Sequence, residues 1–66
     1  MPYNGEKMKY RVEFFDIKDN CWIVSSRHNN QDFAVLNADV ILQRKGVSEC
    51  RVIHNGNIVY NKVKKG

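Results

Sequence analysis

The chain has 66 residues and a formal net charge of +4, and 42% of its residues are hydrophobic and 27% charged. This balance is ordinary for a globular fold and argues against disorder. A domain of this length buries only roughly 60% of the surface that its unfolded chain exposes, which argues against an enzyme with a deep pocket. One domain is expected over residues 1–66, with flexible tails at 1–7 and 64–66.

The first two predicted elements form a β-hairpin. Residues 8–17 alternate Tyr10, Val12 and Phe14 with charged side chains, as a strand with one buried face does. Residues 18–20 are a turn cluster, and residues 21–27 resume the strand pattern. The pattern predicts two antiparallel strands.

A helix is predicted next, beginning at about Asn30. An asparagine caps a helix N-terminus well, and Asp32 complements the positive end of the helix dipole. Residues 43–45, Gln-Arg-Lys, are expected in the last turn, where cations are favoured. Gly46 is expected to end the helix in the left-handed conformation.

A second hairpin is predicted over residues 47–63, with Asn55 and Gly56 at the centre of a type I′ turn. The strands on either side of this turn are rich in β-branched residues. A two-residue loop predicts the following pairs: His54 with Asn57, Ile53 with Ile58, Val52 with Val59, Arg51 with Tyr60, and Glu49 with Lys62.

These elements predict an α+β fold of order ββαββ, in which an antiparallel sheet of two hairpins has one helix packed across one face. The helix is expected to cover Tyr10, Val12, Phe14, Trp22, Val24, Cys50, Val52 and Val59. The opposite sheet face is expected to present Phe15, Ile17, Ile23, Ile53, Ile58 and Tyr60. That second face is more apolar than a solvated sheet face needs to be.

The helix itself is predicted to have two apolar faces. One stripe consists of Ala34, Ala38, Ile41 and Leu42. The other consists of Phe33, Leu36 and Val40, which follow the i, i+3, i+7 spacing of one helix face. The second stripe is either further core or a contact surface, and so small a chain cannot cover both it and the rear of the sheet.

The leading hypothesis is therefore a non-enzymatic protein-binding module, expected to be a homodimer. The expected partner-binding residues are Phe33, Leu36 and Val40 on the helix, with Phe15, Ile53, Ile58 and Tyr60 on the sheet as the competing surface.

The alternative hypothesis is a small nucleic-acid-binding regulator. Cations cluster near both ends of the chain, and Arg51, Tyr60, Lys62 and Lys64 combine positive charge with an aromatic ring, as binders of single strands do. The same clustering also serves solubility, and Arg51 with Tyr60 can simply be a solvated cross-strand pair. Charge alone therefore does not establish nucleic-acid binding.

No catalytic, metal or cofactor signature is found in the sequence. Cys21, His28, Cys50 and His54 are zinc-ligand types, but none of them forms a tight Cys-x2-Cys or His-x3-His unit. No third group at a recognisable spacing supports a Cys-His nucleophile. Neither a metal nor a cofactor is expected.

A cytoplasmic location is expected. The first residues lack the apolar run of a secretion signal, and no apolar run approaches the ~18 to 20 residues that span a bilayer. Cys21 and Cys50 are accordingly expected to be free, packed thiols in a reducing compartment.

The alternation over residues 10–15, the Asp19-Asn20-Cys21-Trp22 turn and the ending at residues 51–56 resemble small uncharacterised proteins carried by phages and prophages. The resemblance implies a protein that binds and inhibits a host enzyme, such as RNA polymerase, a nuclease or a defence complex, in the host cytoplasm. Many inhibitors that mimic nucleic acid are strongly acidic, and the basic charge of this chain argues against mimicry of DNA.

Overall fold

The structure is a computed structural model, and it describes residues 9–65. The elements are β1 (Tyr10–Asp16), β2 (Cys21–His28), α1 (Gln31–Leu42), β3 (Val47–His54) and β4 (Asn57–Val63). The four strands form one antiparallel sheet in the order β2-β1-β3-β4. The α+β architecture predicted from the sequence, ββαββ with one helix, is confirmed.

Of the two flexible tails expected at the ends of the chain, only the one at 64–66 lies partly within the described residues. The tail expected at 1–7 lies outside them. At the other end, the backbone N–H of Lys64 donates to the carbonyl of Ser48 at 2.8 Å, so the chain stays tied to β3 at this point. In the part of the chain that is described, no helix is long and apolar enough to cross a membrane.

Helix α1 begins as its sequence predicts. The side-chain oxygen of Asn30 accepts from the backbone N–H groups of Asp32 at 2.8 Å and Phe33 at 3.3 Å, which satisfies two donors that the helix leaves unpaired. The predicted end is wrong, because the helix stops at Leu42 with no basic residue in its last turn. Gly46 does adopt the left-handed conformation, with φ +85°, after a short turn.

Replacing Asn30 with alanine is expected to lower the free energy of unfolding by about 1 kcal/mol, because both capping bonds are lost. Urea denaturation followed by circular dichroism measures the loss. Asn29→Ala is the matched control, since Asn29 is exposed and precedes the cap. Equal stability of the two variants would show that the cap contributes nothing.

The core lies between α1 and one face of the sheet, called here the inner face. Ala34 and Ala38 are fully buried one helical turn apart, which lets the helix lie close to the strands. The buried cluster consists of Val12, Ala34, Ala38, Ile41, Leu42, Val47, Cys50 and Val52, with Tyr10, Phe14, Val35 and Tyr60 packed against it. The stripe of Ala34, Ala38, Ile41 and Leu42 is therefore the side of the helix that faces the core.

The turn of the second hairpin has the predicted conformation, but its register holds only near the turn. Asn55 and Gly56 both have positive φ, and His54 pairs with Asn57 and Ile53 with Ile58. The register then shifts, and Val52 pairs with Tyr60, so that Val59 is an extra residue. The predicted pairs of Val52, Arg51 and Glu49 are consequently wrong.

A second shift in β2 overturns another part of the predicted sheet. Val12 pairs with Ser26 and Glu13 with Val24, so Ser25 is the extra residue. One inserted residue moves the side chains beyond it to the opposite face. Trp22 and Val24 therefore lie on the face away from α1, called here the outer face. The expectation that the helix covers these two side chains is wrong. Ile23, which lies between them, pairs with Phe14 on the inner face.

Candidate functional site

The outward side of α1 carries three exposed apolar side chains. Phe33 is 63% exposed, Leu36 62% and Val40 58%, whereas Ala34 and Ala38 on the other side are fully buried. Phe33, Leu36 and Val40 are called here the helix strip. Their spacing places them along one line of the helix surface. The strip is therefore surface in the described part of the chain.

The sheet residues expected as a competing contact surface fall into different environments. Phe15 is half-buried and Ile58 exposed, and both lie on the outer face. Ile53 belongs to the same face but is buried. Tyr60 lies on the inner face, where its hydroxyl donates to Oδ1 of Asp39. These four side chains do not form one continuous exposed surface.

The phenol of Tyr60 is held by α1. Its hydrogen bond to Asp39 is the main cause that raises the pKa of Tyr60 to about 12, and partial burial adds to the effect. The neutral phenol is therefore the stable form over the ordinary pH range. Tyr60 ties β4 to the helix and is not a free aromatic surface.

The residues of the predicted nucleic-acid surface are divided between the two faces of the sheet. Arg51 lies on the outer face, whereas Tyr60 lies on the inner face and Lys62 pairs with Cys50. The ammonium of Lys64 donates to the carbonyl of Arg44 at 2.6 Å. A groove between the end of α1 and β4 is lined by Leu42, Gln43, Lys62, Val63, Lys64 and Lys65. The predicted combination of Arg51 with Tyr60 is thus not assembled.

The centre of the outer face holds a polar cluster. Nε of Arg11 donates to one oxygen of Glu13 at 2.7 Å, and Nε of Arg51 donates to the other at 2.7 Å. The guanidinium carbon of Arg51 lies 3.7 Å from the ring centre of Trp22. Phe15 meets Trp22 edge-on, with ring centres 5.5 Å apart. Strands β1, β2 and β3 are thereby joined across the face by side chains.

Glu13 is the anion that orders this cluster, and its side chain is only 9% exposed. Burial is the largest single influence and acts to raise the pKa of the Glu13 carboxyl, but the hydrogen bonds and the positive charges of Arg51 and Arg11 together outweigh it and hold that pKa below its ordinary value. The carboxylate is therefore charged at neutral pH. It neutralises one of the two guanidinium charges that it contacts.

The two cysteines and the Ser26-His28 pair lie in separate environments. Cys21 and Cys50 are both free thiols. Cys50 is buried, which raises the pKa of its thiol, whereas Cys21 is exposed, so the expectation that Cys21 is packed is wrong. The Ser26 hydroxyl lies 2.9 Å from Nε2 of His28 and donates to Oδ1 of Asn37 at 3.1 Å, which links β2 to α1. Among residues 9–65, no group of three or more His, Cys, Asp and Glu side chains is arranged to hold a metal ion.

Comparison with known proteins returns no match, whether to family models, to curated proteins or to solved structures.

Proposed function

We propose that this chain is a non-enzymatic protein-binding module whose helix strip inserts into an apolar groove of a partner protein. The observation that supports the proposal is the exposure of Phe33, Leu36 and Val40, each near 60%, on the side of α1 away from the core. Exposed apolar residues in a continuous line are typical of a contact surface. The spacing suits a helix that binds in a groove.

Burial of this strip contributes to the driving force for binding. A fully exposed side chain of this kind contributes roughly 1.5 to 3 kcal/mol on complete burial, and these three, which are already partly covered, contribute correspondingly less. Helix α1 is also pre-ordered by its Asn30 cap and its packed inner side, so little ordering is needed on binding. The resemblance to phage and prophage proteins extends the proposal to a host enzyme or defence complex as the partner, modulated or inhibited in the host cytoplasm.

Leu36→Glu is expected to weaken partner binding by about 2 kcal/mol, because it places a charge at the centre of the apolar contact. The free energy of unfolding is expected to change by less than about 0.5 kcal/mol, since Leu36 is exposed. Capture of a partner from host lysate by the tagged chain, followed by titration of the purified partner, measures the binding. Gln31→Glu is the matched control, because it adds the same charge at an exposed position of α1.

Light scattering of the pure protein distinguishes self-association of this chain from binding to a different protein. A dimer that Leu36→Glu dissociates and Gln31→Glu leaves intact would assign the strip to self-association. A strict monomer that binds little hydrophobic dye and captures nothing would refute the proposed function, as would equal partner binding by both variants.

A further inference from the structure

The outer face retains positive charge that Glu13 does not neutralise. Arg11 and Arg51 both donate to this one carboxylate, so two positive charges share one negative charge. A guanidinium has more N–H donors than a single carboxylate oxygen accepts. The Arg11 side chain is 41% exposed and the Arg51 side chain 25%. Hydrogen-bond donors and net positive charge therefore remain accessible.

Both guanidiniums are held in fixed positions. Their Nε atoms are bonded to Glu13 on the central strand β1, and Arg51 is also stacked on Trp22. Trp22 is itself packed against Phe15. An arginine that is already ordered loses less side-chain entropy when it binds a ligand. The pair, called here the arginine pair, is therefore pre-organised for an anion.

The surroundings favour a carboxylate of a protein over nucleic acid. One side of the Trp22 ring is covered by Arg51, so that side is closed to the base stacking that binders of single strands use. Exposed Val24 and Ile58 add apolar surface to the same face. Glu49, which pairs with Phe15 on the same face, adds a negative charge that repels a phosphate backbone, with its many charges, more strongly than a single carboxylate. Arginine and carboxylate form paired hydrogen bonds of matching geometry.

We propose that Arg11 and Arg51 form a carboxylate-binding site for a glutamate or aspartate of a protein partner, flanked there by apolar side chains. The proposal rests on the proposed protein-binding function, but it concerns the opposite side of the molecule from the helix strip. The two surfaces can therefore be tested separately.

The single tryptophan of the chain reports on this site, because Trp22 contacts Arg51. Its fluorescence is to be titrated with a peptide containing Leu-Glu-Leu, with the same peptide containing Leu-Gln-Leu, and with an oligothymidylate long enough to span the outer face. A saturable change with the glutamate peptide is expected, with binding about tenfold weaker for the glutamine peptide.

Arg51→Gln and Arg11→Gln are each expected to weaken binding of the glutamate peptide about tenfold. Arg44→Gln is the charge-matched control, since Arg44 lies beyond the end of α1, and a change of less than about twofold is expected for it. Arg51→Lys keeps the positive charge but loses the planar guanidinium with its paired N–H donors, so it is also expected to bind the glutamate peptide more weakly. Arg51→Lys takes the place of Arg51→Gln if the glutamine variant does not fold.

The outcomes separate the two proposals. Leu36→Glu is expected to bind the glutamate peptide as the wild type does, even where it abolishes capture of the partner. The carboxylate site would be overturned by an unsaturable or absent signal, by equal binding of the two peptides, or by equal weakening in Arg44→Gln. Tighter binding of the oligothymidylate would assign the face to nucleic acid and would equally overturn the proposal.

Discussion

Replacing Ala38 with leucine is expected to lower the free energy of unfolding by about 1 to 3 kcal/mol. Ala38 is fully buried, as is Ala34 one turn earlier, and both belong to the cluster that contains Val12 and Val52. The small side chains let α1 approach the sheet, so the larger leucine must push the two layers apart. A domain of this size has a net stability of roughly 3 to 10 kcal/mol, and the loss is a large fraction of it.

Urea denaturation monitored by circular dichroism measures this effect. Val40→Leu is the matched control, because it adds a methylene at an exposed position of the same helix. Its free energy of unfolding is expected to stay within about 0.5 kcal/mol of the wild type. Equal behaviour of the two variants would contradict the close approach of helix and sheet at Ala38.

Replacing Glu13 with glutamine is expected to lower the free energy of unfolding by about 1 to 2 kcal/mol at neutral pH. The substitution removes the charge that both Arg11 and Arg51 contact, and it leaves the two guanidiniums to repel each other. The loss is smaller than for a fully buried ion pair, because both arginines reach water. Glu49→Gln, on the same face, is the control and is expected to change stability by less than about 0.5 kcal/mol.

The effect of Glu13 is also expected to depend on pH. Its pKa in the folded chain lies below the ordinary value of 4.5, so the unfolded chain binds the proton more readily. The stability that the carboxylate contributes is therefore present above that value and is lost as the pH falls through the lower folded pKa. Unfolding of the wild type and of Glu13→Gln at a series of acidic pH values should show their difference shrinking. A difference that stays constant down to the lowest pH would contradict the role of this charge.

The order of the strands and the helix could be predicted from local sequence signals, because residues within each element determine where that element begins or turns. Asn30 caps the helix and the Asn55-Gly56 turn closes the second hairpin, and both features depend on residues adjacent in the chain. The spacing likewise predicted that Phe33, Leu36 and Val40 share one side of the helix, since a helix fixes which side chains share a side, but it left open whether that side is core or surface.

The two faces of the sheet could not be predicted in the same way. The alternation of a strand assumes that no residue is inserted, and Ser25 and Val59 break that assumption in the two hairpins. Trp22 and Tyr60 consequently lie on the faces opposite to those predicted. Arg11 and Glu13 are two residues apart on one strand, so their side chains share a face, and this spacing alone could have indicated their ion pair. Arg51 joins it only through the pairing of β1 with β3, which no local pattern specifies.

The two extra residues, Ser25 and Val59, also affect whether strands of other molecules can add to the edges of the sheet. Among residues 9–65, strands β2 and β4 are the two borders of the sheet, and each has one long edge that no described strand pairs with. Ser25 lies within one border strand and Val59 within the other. A bulge bends and twists a strand, which makes it a poor template for the addition of a further strand. Growth of the sheet into fibre-like stacks is thereby disfavoured at both borders, and deletion of Ser25 or Val59 would remove that protection.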